Sequence, residues 1–470
     1  MKLFETLKPW FCRTVAMTSW LVWSGQPVMA QFNVTNSIPA NGDVDVAQDA
    51  EVLVEFDAAA QNTTIDETTF RIWGRQSGSV TGNISFGASS ATLEPTDGFR
   101  PGEEVMVSLS SNIMSGGAQN LMAHAFSFYV DAHGCSGFSY SDSGQALNVA
   151  GFSFNNDVAL GDLDGDGDLD AMVATDSAGN TVFENDGAGT FSSTIVALNS
   201  QSSQAVELGD LDGDGDLDAV FANGSPVFMT GQRNRIYRND GGFVFTGIGA
   251  IGGNVVTHDL KLGDLDGDGD LDLFFANDGA NHVFFNNGTG TMTDSGQSLG
   301  SANSQGVALG DIDGDGDLDA FVGNNGANAL WLNDGSGGFT DSGQSIGTFN
   351  TMDVALGDLD SDGDLDAYEA NSTENRQWRN DSGVFSSPYP IGISIDSLSV
   401  ALGDVDGDGD LDALVGNNTG VNNQIIENNG SFLNNSTETL GFMEANGVAF
   451  GDLNGDGDLD AYLVSRGDPA

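Results

Sequence analysis

From residue 138 to the end, short apolar runs return in a fixed order around an acidic string. The fourth copy shows it best. Val307-Ala308-Leu309-Gly310 is a first strand that runs into the string, and Ala320-Phe321-Val322-Gly323-Asn324 is a second that leaves it. Ala329-Leu330-Trp331-Leu332 is a third, ended by the turn Asn333-Asp334-Gly335, and Phe339-Thr340-Asp341-Ser342-Gly343-Gln344-Ser345-Ile346 is a fourth. The turn recurs as Asn185-Asp186-Gly187, Asn239-Asp240-Gly241, Asn286-Asn287-Gly288 and Asn428-Asn429-Gly430, residues suited to the positive φ of a tight hairpin. Successive strings begin 48, 54, 47, 47, 46 and 48 residues apart. Four strands per period of this length predict a β-propeller of seven blades, and no 3.6-residue period supports a helical solenoid.

Residues 31–132 lack the repeat. Alternating runs such as Glu51-Val52-Leu53-Val54-Glu55-Phe56, Phe70-Arg71-Ile72-Trp73, Val105-Met106-Val107-Ser108-Leu109 and Phe126-Ser127-Phe128-Tyr129-Val130 predict a β-sandwich. With the Pro-Ala-Asn-Gly opening at 39–42 and Phe99-Arg100-Pro101-Gly102 before a late strand, the segment resembles bacterial Ig-like domains. The predicted fold is therefore all-β: an Ig-like sandwich over 31–132, then a propeller over 138–470.

The ends of the repeats predict how the ring closes. Asp142-Ser143-Gly144-Gln145 precedes the first acidic string and recurs at 294–297 and 341–344 within the fourth strand. It reads as an orphan fourth strand. Val448-Ala449-Phe450-Gly451 and Ala461-Tyr462-Leu463-Val464 read as the first two strands of a seventh blade, which the orphan would complete by pairing across the closure. A third strand is missing there, so the expectation is a last blade that is incomplete, through truncation in preference to a three-stranded closure.

The candidate chemistry lies in the acidic strings. The first is Asp162, Asp164, Asp166, Asp168 and Asp170; the second is Asp210, Asp212, Asp214, Asp216 and Asp218. The third is Asp264, Asp266, Asp268, Asp270 and Asp272, and the fourth Asp311, Asp313, Asp315, Asp317 and Asp319. The fifth is Asp358, Asp360, Asp362, Asp364 and Asp366; the sixth is Asp404, Asp406, Asp408, Asp410 and Asp412. The seventh is Asp452, Asn454, Asp456, Asp458 and Asp460. Five carboxylates within nine residues repel strongly, and a hard divalent cation with oxygen ligands is the simplest way to hold them, which points to Ca²⁺, about seven ions in all. Side chains one, three and five would point inward, the seventh would give its backbone carbonyl, and the ninth would close the shell with both oxygens. Gly167 would permit the bend. An EF-hand needs an acid at position 12 between helices, whereas Val173 stands there between strands. The shorter loop resembles the FG-GAP (VCBS-type) repeat of integrin α-chain propellers, in all seven copies, and that resemblance implies a hairpin loop that binds calcium. Ser361 replaces the usual Gly at the fourth position, and Asn454 brings one charge fewer, so the seventh site is expected to be weakest. The ions are expected to be structural, not catalytic.

The acidic strings supply about half of the 69 acidic residues and set the formal charge at −56, against only 13 Lys and Arg. That balance disfavours nucleic acid and anionic lipid as partners. Lys2, Lys8 and Arg13, the apolar run Thr14 to Trp23 and Val28-Met29-Ala30 predict a secretory signal peptide over 1–30, too short in its apolar part for a membrane anchor. Cys12 lies in that leader. Cys135 would then be the one thiol of a secreted chain, leaving ions in the place of disulfides.

His124, His133, His258 and His282 show no zinc-type spacing, and no nucleophile is evident beside them. Trp331 and Trp378 fall on third strands, where packing between blades is expected over a sugar platform. Glu207 and Lys261 replace the Ala of Val-Ala-Leu-Gly in consecutive copies and are predicted to pair near the ring axis. The expected function is adhesion or recognition of an extracellular protein or glycan, at the cell surface or secreted, with no catalytic site and no membrane insertion. The rival expectation is a secreted polysaccharide- or lipid-degrading enzyme or its accessory module.

Overall fold

The computed structural model describes residues 31–465 apart from 133–138, 146, 148–153, 177–178, 199–200, 226–229, 387, 392–395, 419, 434–438 and 442. The predicted signal peptide with Cys12, together with His133 and Cys135, lies outside the described residues. Among those described, all regular structure is β apart from a single 3₁₀ turn, and no helix is long enough and apolar enough to cross a membrane.

The sandwich pairs two four-stranded antiparallel sheets. One is ordered Val34–Ile38, Val52–Phe56, Ser90–Pro95, Gly82–Phe86; the other Gly78–Ser79, Phe70–Gly74, Glu104–Leu109, His124–Tyr129. Val52, Val54, Phe70, Ile72, Val105, Val107, Phe126 and Phe128 fill the space between them. The second sheet is buried on both faces, because its other face packs on the propeller. Trp73, Met106 and Ala125 join the core of the repeat region around Leu262, Leu309 and Leu318. The strand Glu104–Leu109 thus buries the alternate positions that water would normally reach, and its Met106 is the sequence sign of that second burial.

Seven further antiparallel sheets follow. Their first strands are Asn155–Gly161, Ser203–Gly209, Thr257–Gly263, Ser304–Gly310, Thr351–Gly357, Ser397–Gly403 and Gly447–Gly451. Each first strand touches that of the next sheet, and Gly447–Gly451 touches Asn155–Gly161, so the ring closes. The second strands of the first six sheets, such as Asp319–Asn324 and Asp412–Asn417, are buried along their whole length, because sheets stack on both of their faces. Five sheets have four strands, the sixth three and the seventh two among the described residues. Trp331 and Trp378 are buried in the packing between sheets, as expected.

The Asp-Ser-Gly-Gln tetrapeptide departs from its prediction. It does not extend the fourth strand but ends it, leaving strands of two residues, Thr293–Asp294 and Thr340–Asp341. The N–H groups of Gly144, Gly296 and Gly343 donate to Oδ1 of Asp142, Asp294 and Asp341 at 2.7, 2.8 and 2.8 Å, an Asx turn with the glycine at positive φ. The following Gln then grips the next sheet. Gln297 donates Nε2–H to the Gly337 carbonyl at 2.6 Å and accepts the Phe339 N–H at 2.9 Å. Gln145 makes the same pair with Gly189 and Phe191, at 2.6 and 2.9 Å. It therefore stands where a fourth strand of the seventh sheet would be, and Tyr140 Oη donates to the Leu459 carbonyl of that sheet's loop at 2.8 Å. Among the described residues the orphan forms no strand and the seventh sheet keeps two, so side-chain contacts stand in place of the predicted backbone pairing.

Candidate metal centre

Each acidic loop joins a first strand to a second, with register Gly310↔Asp319 and its equivalents. The loop is wound around its first carboxylate: Asp311 Oδ1 and Oδ2 accept the N–H groups of Gly314 and Gly316 at 2.9 and 3.1 Å. The fifth residue, Asp315, accepts the Asp317 N–H at 3.2 Å. The ninth, Asp319, is fully buried and accepts the Ile312 N–H at 3.2 Å and the Asn333 N–H at 2.8 Å. Since one of its oxygens faces the third strand, the ninth residue does not turn both oxygens to the loop centre as expected. It anchors the loop to the sheet and leaves the other oxygen nearer the cluster. The seventh side chain also points away, as anticipated. Asp168, Asp270 and Asp317 lie over the turn glycines Gly187, Gly288 and Gly335.

What remains at the centre is a set of inward oxygens. Carboxylate oxygens of Asp162, Asp164 and Asp166 lie within 4.8 Å of one another, as do those of Asp311, Asp313 and Asp315. Asp210, Asp212 and Asp218 form such a group through the ninth residue, and so do Asp264, Asp266 and Asp272, and Asp358, Asp360 and Asp366. The third residue supplies the decisive sign. Oδ1 of Asp212, Asp266, Asp313, Asp360 and Asp406 is buried with no hydrogen-bond partner, and so is Oδ2 of the fully buried Asp366. An orphaned acceptor at the same place in five loops fits a cation as the missing partner. These clusters could hold hard metal ions. Asn454 differs: its Nδ2 donates to Asp460 Oδ2 at 3.0 Å, so part of that loop's charge is already satisfied internally.

Burial is the main cause of the unusual acidity in these loops. It pushes Asp170 and Asp218 up to about 7 and Asp319, Asp366 and Asp412 to about 8, with neighbouring carboxylates adding to it. A carboxyl whose pKa rises on folding stabilises the fold only while protonated. That stability is complete below about pH 4 and is lost as pH climbs through about 7 to 8. In chelator, the melting temperature is therefore expected to fall from pH 5 to pH 8. With excess divalent cation present it should hold or rise, because the ion keeps the carboxylates ionised. A thermal-melt series in both conditions checks this.

The turn asparagines do something the sequence reading missed. Positive φ belongs to the glycines of these turns, Gly187, Gly241, Gly288, Gly335 and Gly430, and to none of their asparagines. Instead the first Asn of each turn clips two sheets through its side chain. Asn333 Nδ2 donates to the Leu318 carbonyl of its own loop at 3.1 Å and to the Leu265 carbonyl of the preceding loop at 2.9 Å. Asn185 reaches the Leu453 carbonyl at 2.8 Å and so joins the first sheet to the last. Ser361 holds φ 60° where Gly165 has 81°. Its hydroxyl makes only an exposed contact to Asp410 at 3.1 Å, so Ser361→Gly should stabilise the fold by about 0.5–1 kcal/mol, read by denaturant unfolding.

The ring axis holds a cavity of about 690 Å³. Glu207 and Lys261 pair there, as predicted, and the sandwich adds partners the sequence did not reveal. Arg75 pairs with Glu104 and approaches Glu207 Oε2 at 3.5 Å, so four charges close the end nearest the acidic loops. Higher up, Asp157, Asp259 and Asp353 stand on alternate first strands. They accept the N–H groups of Val206, Val307 and Val400 on the next strands at 3.0, 2.8 and 2.9 Å. Gln204, His258, Gln305 and Met352 line the opposite mouth. Glu207→Gln removes the partner of two cations and should cost about 2–3 kcal/mol in chemical denaturation, less if Lys261→Met is added.

Comparison with known proteins agrees with this architecture. The family model of the FG-GAP-like repeat matches residues 139–221, 227–275, 264–322, 311–369, 358–415 and 404–463, and that of the bacterial Ig-like domain matches 29–130. A search of curated proteins finds no match. Solved structures with some similarity include an Agrocybe aegerita lectin that recognises non-reducing terminal N-acetylglucosamine, at 16% identity over 93% of this chain and 100% of the lectin, TM-score 0.43. BBS1N in complex with ARL6DN aligns at 11% identity over 71% of this chain and 94% of that one, TM-score 0.47. A Bacillus licheniformis rhamnogalacturonan lyase aligns at 13% identity over 86% and 75%, TM-score 0.36. With repeat matches across more than half its length, the chain belongs to the FG-GAP-like repeat family and carries a bacterial Ig-like domain ahead of the repeats.

Proposed function

We propose that this protein is a secreted, calcium-stabilised recognition module that binds an extracellular protein or glycan and performs no chemistry on it. The observation that carries the calcium assignment is the orphaned third-position oxygen in five loops, four of them with further carboxylate oxygens within 4.8 Å. Residues one, three, five and nine of each loop would hold Ca²⁺, a hard cation suited to flexible all-oxygen shells at extracellular concentrations. The ion would neutralise the cluster and fix the hairpin that carries each sheet's first two strands.

The recognition reading rests on the axial cavity. Most of its charged groups are engaged with one another or with backbone N–H groups, an arrangement suited to a rigid polar receptor. Burial also pushes Asp157 and Asp353 up to about 7, within reach of acid–base work, so turnover is the outcome that the test must separate from binding. Gln204, His258, Gln305 and Met352 at the mouth offer donors, acceptors and a soft apolar contact. The test is a glycan and matrix-protein binding screen in calcium and in chelator, repeated with Gln305→Ala. Calcium-dependent capture of one ligand class, weakened by that substitution, supports the proposal. Turnover of a polymer by the purified chain overturns it.

A further inference from the structure

The seven acidic loops differ in how far water reaches them. Six have two or more exposed residues, whereas loop 264–272 has none, and even Gly267 and Gly269 are buried. The cover is the Ig-like domain. Ser108 Oγ hydrogen-bonds Asp264 Oδ2, the Ser111 N–H donates to the Gly267 carbonyl at 3.0 Å, and Arg71 Nη2 pairs with Asp270 Oδ1 at 3.0 Å. A Cβ at Gly269 would meet the Thr68 carbonyl oxygen at 2.9 Å, so the two backbones are already in contact. Beneath this cover, oxygens of Asp264, Asp266 and Asp272 lie within 4.8 Å of one another, and Asp266 Oδ1 is orphaned. At loop 162–170, by contrast, Arg100 bonds Asp162 Oδ2 at 3.1 Å and the Gly167 carbonyl at 2.7 Å while Gly165, Asp166 and Gly167 stay exposed.

We propose that loop 264–272 is a metal site shared by two domains: the Ig-like domain seals the ion in, and the ion holds the Ig-like domain on the propeller. The inference rests on the reading that the loops bind calcium. Water reaches this loop only at the partly accessible Asp266, Asp268 and Asp270, so an ion there leaves readily only when the sandwich lifts. Once the ion leaves, buried carboxylates with too few donors gain by rehydration, and that requires the same lifting. The two events share one equilibrium, so each must strengthen the other by the same factor.

The test uses the full chain loaded with ⁴⁵Ca²⁺ and mixed into excess chelator. All ions but one should leave in a fast phase, and the last at least ten-fold more slowly. Hydrogen exchange at the Ser111 N–H, which opens only when the domains part, should accelerate with the rate constant of that slow phase. Ser108→Ala with Arg71→Ala should merge the slow phase into the fast one and leave the number of ions bound at saturation unchanged. Release of every ion in one fast phase, or Ser111 protection indifferent to ion loss, overturns the shared site while calcium binding by the loops stands. Both measurements on the unmutated chain decide this even if the double variant folds poorly. Absence of bound ⁴⁵Ca²⁺ at the outset would instead remove the reading beneath it.

Discussion

On the proposed calcium reading, stripping calcium from the purified chain is expected to lower its melting temperature by about 10 °C, the largest effect expected from any single change of conditions. An extracellular site with a Kd near 10⁻⁴ M contributes about 2 kcal/mol in a few millimolar calcium, so several such sites together supply on the order of 10 kcal/mol. The loss spreads beyond the loops. In the first six loops the ninth aspartate anchors the third strand, and the asparagine that follows grips the previous loop, as Asp319 and Asn333 do. A loop that opens therefore loosens two sheets. Differential scanning calorimetry in millimolar calcium and in chelator measures the shift; a change of only a few degrees would mean that the carboxylates are accommodated some other way.

The second large effect separates anchoring from ion binding. Asp319→Ala removes the acceptor of the Ile312 and Asn333 N–H groups inside a fully buried site and deletes a proposed ligand of the fourth loop. It should cost about 3–5 kcal/mol and, on the proposed calcium reading, one bound ion. Asn333→Ala leaves the carbonyls of Leu265 and Leu318 without their donor and should cost about 2–4 kcal/mol with every ion retained. Denaturant unfolding and calcium titration of both variants tell them apart. If Asn333→Ala also loses an ion, the clip and the ligand shell are a single unit.

The architecture was legible because two periods coincide: alternation within strands and a repeat near 47 residues between acidic strings. The pair Glu207–Lys261 could be read for the same reason, since equivalent positions in successive repeats become neighbours around the ring. The misreadings arose where a residue serves a neighbour distant in the chain. Asparagine before glycine signals a hairpin locally, so the bond from Asn185 to Leu453 across the closure was hidden. The second oxygen of Asp319 was assigned to the ion because the chain shows the loop and not the third strand beside it. Docking of the sandwich was hidden for a related reason. Met106 and Trp73 break the polar face of a strand pattern, but pattern alone does not say what covers them.

The most direct test of the account is a count of metal per chain. Protein exchanged into calcium-containing buffer, passed through a desalting column and analysed by inductively coupled plasma mass spectrometry should carry about seven calcium ions, or six if the Asn454 loop exchanges during the column step. Asp319→Ala should carry one fewer than the unmutated chain. A folded chain that holds no calcium, and titrates none by calorimetry, would contradict the claim that clustered carboxylates grip ions in every repeat.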